Sequence, residues 1–189
     1  MKKITTILLA IIMSTILITG CSSSNNQGNL YLGNCPDNMD GMGKKYFVND
    51  LEKGTYEIEF TAKEYEYGTL KKEHTLYKST IEHNGKNSSL KIGVIDGNER
   101  DSSYLKAIIN DGEYGYNLDF LKEAYNTGIS ISILNENKYF DLDNEVAIAA
   151  YNVGGENRST NSLNIDEEFE ISNNNFKDLV VYIKLHKTS

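Results

Sequence analysis

Thr55-Tyr56-Glu57-Ile58-Glu59-Phe60-Thr61-Ala62-Lys63 alternates between polar and apolar side chains without a break. A period of two puts Tyr56, Ile58, Phe60 and Ala62 on one side of an extended chain, as a strand with one dry face requires. After Ala62 the phase slips, because Tyr65 and Tyr67 fall on the opposite parity. A bulge near Lys63-Glu64 is expected to repair it.

The same period recurs along the chain. Ile129, Ile131 and Ile133 alternate with Ser130 and Ser132, and Leu179, Val181, Ile183 and Leu185 alternate with Val180, Tyr182, Lys184 and His186. Leu90-Ile92-Val94 and Leu105-Ala107-Ile109 repeat it, and Leu70–Ile81 and Phe169–Ile171 are further candidates. Glu145–Tyr151 is apolar on both parities after its start, the pattern of a central strand covered on both sides. Lys53-Gly54, Tyr67-Gly68, Asn84-Gly85, Asp96-Gly97, Asp111-Gly112 and Gly154-Gly155 supply turn signals between these runs. The single proline, Pro36, precedes every one of them.

One segment keeps helical spacing. Leu118, Leu121 and Tyr125 follow Asn117 as N-cap and precede Gly128 as a stop, so a short helix is expected near 118–126. About seven to nine short strands and one helix predict a mainly β chain, an antiparallel β-sandwich or flattened barrel. A parallel βαβ winding would need a helix between most strands.

The first residues read differently. Met1-Lys2-Lys3 is basic, and Ile4–Ile18 is apolar except at Thr5, Thr6, Ser14 and Thr15. That run is shorter than the roughly 18 to 20 apolar residues of a spanning helix and has the proportions of an export signal. It ends at Ile18-Thr19-Gly20-Cys21, which resembles the lipobox of bacterial lipoprotein precursors. The resemblance covers residues 1–21 only. It implies a signal peptide over 1–20, cleavage after Gly20, a diacylglyceryl group on the Cys21 sulfur and further acylation by palmitate-like chains. Two or more acyl chains hold a protein at a membrane where one does so only marginally.

Residues 22–29 are small and polar, so 21–29 reads as lipidated cysteine plus flexible tether, spanning about 15 Å on average. The remainder, 30–189, reads as one sandwich domain held at the outer leaflet of the cell membrane and facing outward. The abundance of Asn, Lys, Ile and Tyr suits an AT-rich Gram-positive host.

Charge narrows the partners. Nineteen Lys and Arg against twenty-seven Asp and Glu give a formal net charge of −8. Loss of Lys2 and Lys3 with the signal would take this to about −10. Without a basic cluster, such a chain is repelled by nucleic acid. The expected partners are therefore the membrane itself and an envelope protein or glycan.

Chemistry is sparsely signalled. With Cys21 acylated, Cys35 has no partner within the chain and reads as a free thiol, an intermolecular link or a buried small hydrophobe, with no neighbouring His or helix N-terminus in the sequence to make it catalytic. His74, His83 and His186 form no HExxH, and no GxSxG or SxxK is present. His186 is expected to be solvated. His74 and His83 would share a metal only if the chain between them bent. Asp141, Asp143, Asn144 and Glu145 begin like a calcium loop, with oxygen ligands alone, but Ala147 follows where glycine would turn an EF-hand.

Thirteen tyrosines without tryptophan are more suggestive. Tyr65, Tyr67, Tyr114 and Tyr116 lie in polar, Gly-containing stretches, where rigid amphipathic rings serve recognition. These features favour a binding or interaction module over an enzyme. The alternatives are an envelope hydrolase using carboxylates from Glu64, Glu66, Asp141 or Asp143, and an inhibitor or immunity lipoprotein making contact through an edge strand or the loop expected at Tyr114-Gly115-Tyr116.

Overall fold

The computed structural model describes residues 30–35, 43–85, 90–96, 104–120, 129–135, 137–153, 171 and 176–189. Eleven strands lie among them: β1 (Leu30–Asn34), β2 (Gly43–Asn49), β3 (Lys53–Glu66), β4 (Thr69–Asn84), β5 (Leu90–Asp96), β6 (Tyr104–Ile109), β7 (Gly112–Asn117), β8 (Ile129–Ile133), β9 (Lys138–Phe140), β10 (Val146–Val153) and β11 (Lys177–Lys187). They form a six-stranded sheet in the order β7-β6-β5-β2-β1-β9 and a five-stranded sheet in the order β4-β3-β11-β10-β8. Every pairing is antiparallel. The expected mainly β sandwich is the fold, with eleven strands rather than seven to nine.

Alternation explains the layers. Tyr56, Ile58, Phe60 and Ala62 are all buried, and β3 places them beside Val181, Ile183 and Leu185 of β11. The first sheet offers Leu32, Tyr46, Val48, Ile92, Val94, Leu105 and Ala107 to the same core. Full burial of such side chains contributes about 1.5–3 kcal/mol each. The Tyr46 hydroxyl ties the layers together, donating to the Leu134 carbonyl at 2.9 Å with the Ile148 carbonyl 3.3 Å away. Strand β10 is buried at every position, as its apolar character on both parities predicts.

Three expectations need correction. β3 pairs with β11 without interruption from Glu66 to Tyr56, so it carries no bulge of its own. The extra residues belong to β4, at Lys71 and Leu76, where the β3–β4 register shifts. Tyr65 therefore stays on the outer face. Lys53-Gly54 is not a turn but the start of β3, where Gly54 leaves room for the Ser189 carbonyl. Tyr114-Gly115-Tyr116 is strand rather than loop.

Tyr67 and Gly68 both adopt positive φ and close the β3–β4 hairpin as expected. Of the predicted helix, Leu118 is buried and Asp119 and Phe120 are helical, while 121–126 lie outside the described residues. Phe169 and Glu170 also lie outside them, as do the turn signals at 97 and 154–155, the signal, Cys21 and the tether. No helix among the described residues is long and apolar enough to cross a membrane.

Candidate interaction surfaces

The longest hairpin builds the most exposed apolar feature. Tyr67 is 56% exposed and Leu70 49%. The Phe176 ring lies edge-on to Tyr67 at 5.6 Å, and the Tyr67 N–H donates to the Phe176 carbonyl. Lys177 stands over the Phe176 ring. Tyr67 thus pairs with Phe176 at the hairpin tip, a partner not signalled by the sequence, while the exposed Leu70 lies close by on β4 in register with Tyr65.

Tyr65 faces elsewhere. Its hydroxyl lies 3.5 Å from that of Tyr182 on the outer face of the five-stranded sheet. Lys63 joins this group, bonded to Glu145 at 2.5 Å and lying over the Tyr182 ring. Burial opposes the Lys63 charge, but the hydrogen bond and charge of Glu145 outweigh it and raise the pKa above the ordinary lysine value. Burial, then the bond to Tyr65, lifts Tyr182 well above the usual phenol range. On the same face, Asn152 and Asp178 are fully buried and bonded to each other at 2.7 Å.

Tyr114 and Tyr116 sit on β7, stacked against β4. The Tyr114 ring meets Tyr77 at 4.2 Å, and the Tyr116 ring lies 6.0 Å from His74. Hydrogen bonding with Tyr77 raises the Tyr114 phenol. Behind Tyr116, His74 Nε2 lies 2.7 Å from Glu64 Oε1, both largely buried. The four tyrosines picked out by sequence therefore occupy three places rather than one patch.

The remaining candidates also separate. β4 keeps His74 and His83 apart, pairing them with Ala62 and Gly54 respectively. His83 is buried, and its Nδ1 accepts from the Gly85 N–H. His186 is exposed and bonds Asp143 Oδ1 at 2.6 Å. In the acidic loop, Asp143 is thus held by His186 and Glu145 by Lys63, while the Asn144 N–H donates to the Asp141 carbonyl. Among the described residues no group of three or more His, Cys, Asp or Glu converges to hold a metal.

No protein-family model, curated protein or solved structure matches the chain.

The carboxylates named for hydrolysis fall into two groups, Glu64 with Glu66 on β3 and Asp141 with Asp143 before β10, and the two groups lie far apart. His186 pairs with Glu57 of β3, seven residues from Glu64, so Asp143 and Glu64 are separated by roughly 20 Å along the strand. Hydrolytic pairs sit within about 10 Å. Glu64 is engaged by His74, and Glu66 lies 3.8 Å from Lys71. Cys35 is buried and free, as the reading of a buried small hydrophobe predicts.

Proposed function

We propose that this chain is an exported lipoprotein, anchored through Cys21, whose β-sandwich holds an interaction surface away from the membrane toward a partner in the envelope. The tip of the β3–β4 hairpin is that surface. Its position relative to the start of the domain carries the reading.

Leu30 pairs with Phe140, three residues before Asp143, whose N–H donates to the Leu185 carbonyl. Leu185 pairs with Ile58, and Ile58 with Ser79. From Ser79 to Gly68 the bulged β4 strand rises on the order of 30 Å. A tether entering at Leu30 leaves Tyr67, Leu70 and Phe176 at the far end of the body. Tyr67 and Leu70 are exposed near this tip and the half-buried Phe176 ring packs on Tyr67, an apolar feature of the kind that meets a partner.

Two measurements test this reading. Cys21→Ala should move the chain from the membrane fraction to the soluble fraction; its retention in membranes would remove the anchor. Washed envelope fragments should retain the Cys21→Ala chain, and Tyr67→Ala with Leu70→Ser should cut that retention at least tenfold. Unchanged retention would remove the tip as the contact.

A further inference from the structure

Among the described residues, the four sheet edges are not protected alike. β9 has only three residues, and β8 is half-buried throughout. β4 carries two bulges and exposed Lys71, Lys72 and Lys78, devices that discourage strand addition. β7 has none of these. It runs six residues in unbroken register with β6, four of them exposed, and its one charge, Glu113, is held by Lys106 at 3.0 Å.

Gly115 lies within this strand without an internal reason. It does not adopt positive φ, and a Cβ there would meet nothing closer than Tyr104 at an ordinary 3.7 Å. Glycine inside a strand costs about 0.5–1 kcal/mol relative to alanine. It often marks a place where a ligand or another backbone approaches closely.

We infer that β7 pairs antiparallel with β7 of a second copy about a twofold axis through Gly115. An axis normal to the sheet keeps core-side residues facing core-side residues, so parity restricts the register to axes that pass through a residue and its copy. Gly115 meets its own copy on the axis, so no side chains lie between the two backbones there. On the core side, each Tyr114 meets the second copy's Tyr116, giving two aromatic cross-strand pairs. On the other side, each Glu113 meets the second copy's Asn117, giving two carboxylate–amide pairs. Centring on Glu113 instead would oppose two like charges.

The neighbouring β4 strands agree with this axis. Tyr114 packs on Tyr77 and Tyr116 on His74, so Glu73 and Lys78 flank the axis on opposite sides. The twofold then places each Glu73, 3.9 Å from Lys63, and the second copy's Lys78, already paired with Glu57 and Glu59, with opposite charges facing rather than like ones. Pairing of such short edges buries less than the roughly 1,200–2,000 Å² of a stable complex. The dimer is therefore weak when free and is favoured by the effective concentration that a shared membrane supplies.

The test uses the full chain in membranes of a bacterium expressing it. Under mild oxidation, Gly115→Cys should give covalent dimer at least tenfold faster than Thr80→Cys, an exposed β4 position, with the parent chain as the background. Cys35 is buried and does not compete. In the same membranes, Gly115→Lys, which has room within the chain, should abolish the disulfide-linked dimer that a chain carrying Glu113→Cys and Asn117→Cys forms, while leaving the dichroism spectrum unchanged. Equal rates at positions 115 and 80 would overturn the pairing, as would a dimer indifferent to Gly115→Lys. The pairing rests on the Cys21 anchor for its effective concentration, and recovery of the chain in the membrane fraction before oxidation separates a failed anchor from a failed pairing.

Discussion

Asn152 Nδ2 donates to Asp178 Oδ1 at 2.7 Å where both side chains are fully buried. The two residues are register partners on β10 and β11, so the bond crosses the centre of the five-stranded sheet on its outer face. Removing one member of a buried polar pair leaves the other desolvated, which costs about 1–3 kcal/mol. Asn152→Ala should therefore lower the unfolding free energy by about 2 kcal/mol in urea titrations. Changing both to Asn152→Val and Asp178→Val should cost less than the sum of the single changes. Additive losses would show that the bond contributes nothing.

Alkaline pH should destabilise the fold through a second pair of residues on that face. Lys63 and Tyr182 both hold their protons more tightly folded than unfolded. Below about pH 10 both states keep these protons, and the stabilisation from the Lys63 ion pair is fully present. Above that pH the unfolded chain releases them first, binds fewer protons, and gains relative to the folded state. The urea midpoint should fall steadily between about pH 10 and 11.5, and Tyr182→Phe should flatten that fall. A slope unaffected by Tyr182→Phe and by Lys63→Met would assign the effect elsewhere.

Calcium should leave stability unchanged. A calcium ion in the Asp141–Glu145 loop would have to draw Asp143 from His186 and Glu145 from Lys63. Ligands that bind only the folded state raise its midpoint in proportion to the logarithm of their concentration. Melting with millimolar calcium and with chelator should thus give the same midpoint. A rise of several degrees with calcium would restore the oxygen-ligand reading of that loop.

The legible parts of the fold are those where burial enforces the period. β3 and β11 read directly, since Tyr56–Ala62 and Leu179–Leu185 place every second residue in the core. β2 escaped because Phe47 adds an apolar side chain on the outer parity, beside Tyr46 and Val48. β9 is three residues long and exists through its pairing with β1, which no local pattern encodes. β7 buries too little to show alternation.

The Glu64–His74 pair illustrates the deeper obstacle. An unbulged hairpin at Tyr67-Gly68 would oppose Ala62 with Glu73 and turn that carboxylate toward the core. The extra residue at Lys71 shifts the register, so His74 faces inward and reaches Glu64. A bulge of one residue is set by packing across the sheet, not by the sequence around the turn. The aromatic pair at the tip was half legible for a related reason: Tyr67 announced itself beside a glycine, whereas Phe176 arrives from far along the chain, just before β11.

The hydroxyl that joins the layers gives a last prediction. Tyr46 is buried, and its O–H reaches the Leu134 carbonyl where the chain leaves β8 to cross toward β9 and the other sheet. The Leu134 N–H is already committed to the Ile148 carbonyl at 3.1 Å. Tyr46→Phe keeps the ring and its packing but removes the donor to that crossing. The expected loss is about 1–2 kcal/mol, seen as a lower urea midpoint with an unchanged denaturant slope. Tyr46→Leu adds a cavity to the same loss and should cost more, about 3 kcal/mol or above. If Tyr46→Phe melts like the parent while Tyr46→Leu does not, the ring alone holds the sheets together and the hydroxyl is incidental.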